Sequence, residues 1–127
     1  TGNPFEVKTH KGGLVDIEFI AQWAALRAGT APGAARATAI RAIIAEADEE
    51  LVPTPDKEVL LSAFATYNSV LQLLRLCMDD EFQPASAPPG LAEMLCLELD
   101  LPDIRTVEAH LRNCQKAVRE IFRRLVG

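Results

Sequence analysis

Two stretches of the chain repeat their apolar residues at alternating spacings of three and four, a period that fits helix packed lengthwise on helix and no strand. Leu60, Ala63, Tyr67, Val70, Leu74 and Cys77 form one such seam, and Ile104, Val107, Leu111, Cys114, Val118, Ile121 and Leu125 form the other. The seams predict helices over about 55–79 and 103–126 whose apolar edges pack on each other. Around them the same reading places three shorter helices. Residues 13–28 are rich in helix formers and are closed by Gly29 and Pro32, residues 34–47 carry a narrow Ile40, Ile43, Ile44 edge, and residues 91–99 follow the loop QPASAPPG at 83–90. Val52-Pro53-Thr54-Pro55 breaks the chain before the third helix, and Leu101-Pro102-Asp103 supplies a turn and an N-cap before the last. The expected class is all-α, an antiparallel bundle of four or five helices.

Within residues 13–28, Leu14, Ile17, Ala21, Ala24 and Ala28 make one apolar stripe while Phe19, Trp23 and Leu26 cover another flank, which predicts a central position for this helix. Residues 1–12 show no helical period, and Phe5 to Lys8 reads as extended. They are taken as a lead-in from a preceding domain, with the bundle itself at 13–127.

Composition narrows the function classes. With 127 residues, 49% hydrophobic and 24% charged, the chain can bury a core of its own. Its net charge of -5 argues against nucleic acid or an anionic membrane as the main partner. The charge is uneven, however: residues 104–127 hold six Lys/Arg against two Asp/Glu, so the last helix is basic on an acidic body. Cys77, Cys96 and Cys114 are odd in number and lack C-x-x-C spacing, which points to buried thiols in a reducing, cytoplasmic setting. No run of 18 apolar residues is expected to cross a membrane.

Chemistry-bearing residues cluster at Lys8-Thr9-His10-Lys11-Gly12-Gly13, which leads into a helix N-terminus. Free N–H groups, the positive end of the helix dipole and two glycines suit an anion there, although the pair equally suits a simple turn and cap. Asp16 and Glu18 are two apart, so on a helix they diverge and are not a catalytic pair. Asp16 reads as a first-turn acid favoured by the dipole. Glu18, on so apolar a helix, calls for a paired partner or a polar cleft. His10 and His110 read as single residues without ligand spacing, and no serine, cysteine, phosphate-loop or dinucleotide motif occurs. No metal site is indicated.

The string KTHKGGLVDIEFIAQ, Lys8 to Gln22, resembles the Lys-x-x-x-Gly-Gly-Leu-x-Asp-Ile-Glu-Phe-x-x-Gln motif of glutamine synthetase adenylyltransferases. Leu73 to Cys77, Ala87 to Leu91 and Val118 to Leu125 are similar to the end of alphaproteobacterial members. The resemblance implies a C-terminal helical bundle that follows a nucleotidyltransferase domain in a bifunctional enzyme. That enzyme moves AMP from ATP to a tyrosine of glutamine synthetase, and removes it, in nitrogen regulation. The family's Gly-Ser pair and Asp-x-Asp, which hold Mg²⁺ and ATP, are both missing from this sequence. ATP and Mg²⁺ are therefore expected to belong to the parent enzyme, and the chain alone is expected to be catalytically silent. Residue by residue, the resemblance assigns Lys8, Gly12, Gly13, Asp16 and Gln22 to the substrate or nucleotide cleft, with Glu18 as the candidate catalytic group. Glu18 would orient a cation or help the tyrosine hydroxyl lose its proton, or else be salt-bridged where the motif fixes the bundle to the catalytic domain. Implied partners are that nucleotidyltransferase domain, glutamine synthetase and a PII signal protein. The alternative function is a regulatory bundle that docks glutamine synthetase or PII.

Overall fold

A computed structural model describes residues 3–29, 37–77 and 89–126, and shows an all-α bundle of five helices. These are α1 (Leu14–Arg27), α2 (Ala37–Glu46), α3 (Thr54–Cys77), α4 (Pro89–Leu99) and α5 (Ile104–Leu125). The expected loop at 83–88, Pro32 and the Cys77 side chain lie outside the described residues.

Local chemistry sets each end. Gly29 follows α1 at φ +78°, in the left-handed region, and its N–H bonds back to the Leu26 carbonyl. Pro55 and Pro89 sit in the first turns of α3 and α4, where a missing N–H costs no helical bond. For that reason α4 starts two residues before the 91 expected from the apolar pattern. It closes with Asp100 at φ 55° and a Leu101 N–H to Cys96 carbonyl bond of 2.9 Å, a Schellman end with Asp in the place usually taken by Gly. The Asp103 carboxylate caps α5 by accepting from the Thr106 N–H at 2.8 Å, as the sequence predicts.

The two seams pack as expected. Leu60, Ala63, Tyr67 and Val70 of α3 are buried with Val107, Leu111, Val118 and Ile121 of α5. The long helix α3 touches all four others, so it, and not α1, is the centre of the bundle. On α1 the stripe Leu14, Ile17, Ile20, Ala21, Ala24 is buried, whereas Ala28 is exposed and Val15, Phe19 and Leu26 are 47%, 50% and 63% exposed. Of the second flank, Phe19 and Leu26 therefore face outward, while Trp23 is half-buried and packs against the core. Residues Thr54–Leu76 are long and apolar enough to cross a membrane, contrary to the expectation of no such run. The buried seam along this helix accounts for that apolarity.

Residues 3–12 are part of the bundle. Phe5 and Val7 lie in the core, and the segment is a series of turns, with the Glu6 N–H bonded to the Asn3 carbonyl and the His10 N–H to the Glu6 carbonyl, in place of the expected extended stretch.

Replacing Leu111, fully buried, by Ala is expected to lower the unfolding free energy in urea by about 2–5 kcal/mol, and Leu74→Ala by distinctly less because Leu74 is half-exposed. Equal losses at the two positions would show that burial is not what ranks the seam.

Candidate functional site

The turn from residue 8 to α1 is built around the peptide unit of Gly12. Its N–H donates to Asp16 Oδ2 at 2.6 Å, and its carbonyl accepts from the Tyr67 hydroxyl at 2.8 Å. Gly12 has φ +81°, and a Cβ built there would lie 2.0 Å from the Gln115 carbonyl oxygen, so α5 backbone fills the space a side chain would need. At Gly13 a Cβ would lie 2.2 Å from the Val7 carbonyl oxygen, a collision set by close approach alone. The same Asp16 oxygen accepts from Arg119 Nη1 of α5 at 3.1 Å, and Gln115 Nε2 donates to the Pro4 carbonyl at 2.8 Å. The turn, α1, α3 and α5 are thereby joined at one node.

Burial pushes the Tyr67 phenol far above its ordinary range, and the neighbouring Cys114 and Asp16 push it the same way. It stays a hydroxyl and a donor. Arg119 also lies over the Phe122 ring, 4.8 Å from its centroid, and Phe122 in turn meets Phe19 at 5.5 Å.

The motif residues divide into two groups. Gly12, Gly13 and Asp16 point inward, into the node. The N–H groups of Gly12, Gly13, Leu14 and Val15 are taken by Asp16 Oδ2 and by the carbonyls of His10, Val7 and Lys8. These four donors close the turn, which is the turn-and-cap geometry. Lys8 and Gln22 are exposed and Glu18 is half-buried. Glu18 shares the outward face of α1 with Val15, Phe19, Gln22 and Leu26, at spacings of three and four. The half-buried carboxylate makes no side-chain hydrogen bond or ion pair among the described residues.

Beside the node, α5 and the turn enclose a groove of about 520 Å³ lined by His10, Lys11, Arg112, Gln115, Lys116, Arg119, Glu120 and Arg123. Four of the six basic residues of the tail are gathered here. Arg105 stands elsewhere on α5, and Arg124 forks onto Asp56 at the start of α3, with bonds of 2.7 and 3.2 Å, a pair that holds its guanidinium more firmly charged.

Contrary to the expectation of a lone His110, the structure gives it a neighbour on its own helix. His110 and Cys114 are four apart, and Nε2 lies 3.7 Å from Sγ. Burial pushes the Cys114 thiol up, which favours the protonated thiol over the thiolate that a nucleophile needs. Among the described residues no three His, Cys, Asp or Glu side chains come together to hold a metal ion.

The geometry defines a helical bundle braced on a Gly-Gly turn, with an open apolar and acidic face on α1 and a basic groove on α5. Residues 3–126 match the family described as GlnD PII-uridylyltransferase. The chain is 37% identical over 99% of its length to a bifunctional glutamine synthetase adenylyltransferase/adenylyl-removing enzyme of Rhodopseudomonas palustris (strain HaA2). It is 39% identical over 97% to the corresponding enzyme of Rhizobium meliloti (strain 1021), and 36% identical over 94% to that of Agrobacterium fabrum. No solved structure matches. The chain belongs to the GlnD PII-uridylyltransferase family, and the similarity to the adenylyltransferases runs over its whole length, beyond the Lys8 to Gln22 string. It spans 13% of the length of the first two of these relatives.

Gly29 and Gly12 separate two costs of a Cβ. Both have positive φ, but Gly29 has nothing within 4 Å of an added Cβ. Gly29→Ala is expected to cost about 1 kcal/mol for backbone strain alone. At Gly12 the collision with α5 adds to that strain and makes the thermal destabilisation several-fold larger. Similar melting temperatures for the two variants would contradict the close approach of the turn to α5.

Proposed function

We propose that this bundle forms one wall of the active-site cleft of a bifunctional enzyme that transfers AMP from ATP to a tyrosine of glutamine synthetase and removes it. The sequence holds neither the Gly-Ser pair nor an Asp-x-Asp, so ATP and Mg²⁺ are bound by a nucleotidyltransferase domain in the rest of the parent. The observation that carries the reading is the outward face of α1. Phe19 matches the motif and is apolar, yet it is half-exposed, flanked by Val15, Leu26, Glu18 and Gln22. An apolar stripe with a carboxylate at its middle is suited to be covered by another domain, with Glu18 at the seam.

In this reading the motif has two tasks. Gly12, Gly13 and Asp16 fix the turn, and so set where Lys8, Glu18 and Gln22 stand. Lys8 meets the ATP phosphates or the acidic pair of the catalytic domain, and Glu18 and Gln22 face the cleft. Glu18 acts on the tyrosine hydroxyl as it loses its proton. The partner that follows from the reading is glutamine synthetase, and the setting is the cytoplasm. A second reading, a regulatory bundle that docks glutamine synthetase or a PII signal protein, is favoured by the basic groove of α5.

In the intact parent, Glu18→Gln is expected to leave the melting temperature unchanged and to lower kcat for AMP transfer by about 10²-fold or more. Unchanged turnover with lowered thermal stability would assign Glu18 to domain packing instead.

A further inference from the structure

The groove between α5 and the turn carries chemistry that the motif does not use: none of its lining residues is a position at which the motif matches. Arg112, Lys116, Arg119 and Arg123 recur at spacings of four, three and four, so they form one stripe. The stripe is about 16 Å long at about 1.5 Å of rise per residue. Lys11 of the turn adds a fifth cation on the opposite wall. Two of the five are already paired inside the chain, Arg112 with Glu108 and Arg119 with Asp16. Of the cations without an ion-pair partner among the described residues, Lys116 and Arg123 stand seven residues, about 10 Å, apart along α5 and Lys11 stands on the turn.

That distribution decides between occupants. A compact phosphate needs several donors aimed at one point, and Glu120 in the groove wall opposes a dense cluster of negative charge. Separated carboxylates on an extended backbone meet separated cations one at a time. The lining residues also hold polar atoms shut off from solvent and without a partner among the described residues: Gln115 Oε1, Arg119 Nε and His10 Nε2. Gln115 is itself only 3% exposed. Its free oxygen is an acceptor, and the partner it lacks is a donor, which a peptide N–H supplies and a fully ionised phosphate does not. Arg119 Nε lacks an acceptor, which a peptide carbonyl supplies.

From this we infer that the groove binds an extended acidic segment of a protein partner, its carboxylates on Lys11, Lys116 and Arg123 and its backbone on Gln115 and Arg119. This gives chemistry to the docking reading and is independent of the cleft-wall reading. Failure here leaves the Glu18→Gln outcome in the parent untouched.

The test is fluorescence anisotropy of the 127-residue chain with a labelled ten-residue peptide of alternating Glu and Ser. Three comparators are used: the same peptide with Gln for Glu, the same peptide with N-methylated backbone, and unlabelled tripolyphosphate as competitor. Binding of the acidic peptide is expected to weaken about tenfold or more in the Lys116→Glu, Arg123→Glu double variant. Both residues are exposed, so its circular-dichroism melt is expected to stay that of the parent chain. The Gln peptide is expected not to bind, and the N-methylated peptide to bind more weakly than the acidic one. Equal binding of acidic and Gln peptides, or indifference to the double charge reversal, would overturn the inference. So would tight competition by tripolyphosphate together with indifference to N-methylation, which would make the groove a phosphate site.

Discussion

The peptide unit of Gly12 is gripped from three sides, and the placement of every other functional feature depends on that grip. Asp16 takes its N–H, Tyr67 takes its carbonyl, and the backbone of Gln115 occupies the volume where a side chain would stand. A buried peptide whose N–H and carbonyl were both unmet would cost several kcal/mol, at about 1–3 kcal/mol for each unsatisfied group. The groups that satisfy it come from α1 and α3, and the chain that crowds it belongs to α5. The turn cannot be altered without disturbing the contact of three helices.

This node also links the two exposed features. Asp16 holds Arg119, and Arg119 both lines the basic groove and stacks on Phe122, which meets Phe19 on the open face of α1. The Asp16–Arg119 pair is partly shielded from solvent, so it is less screened than a surface pair such as Arg112–Glu108. An occupant of the groove that draws on Arg119 therefore acts on the same carboxylate that fixes the helix bearing Glu18. Groove and helix face share one arginine.

Much of this was legible in the sequence, and the misses have physical causes. The seams of α3 and α5, the cap at Asp103 and the helical class follow from spacing, because packing period and capping chemistry are local. The position of α1 did not follow. Phe19 and Leu26 are apolar whether they meet the bundle's own core or a face left open, and composition cannot tell the two apart. Asp16 read as an acid placed by the helix dipole because its partners are distant in sequence: Arg119 comes from another helix, and Gly12 from a turn whose shape depends on Tyr67. Tyr67 sits on the α3 seam, and its hydroxyl is silent until the turn is placed over it. Gln115 carried one local signal, a polar residue next to an apolar seam. The spacing of four between His110 and Cys114 is a further local signal, visible in the sequence alone.

The most direct test of the node is amide hydrogen exchange at Gly12, followed residue by residue in the 127-residue chain. An N–H buried and bonded to Asp16 exchanges only when the bundle opens. The account predicts protection within about tenfold of that of the buried amides of α3 and α5. Exchange of Gly12 at the rate of an exposed loop amide, while those helices stay protected, would contradict it.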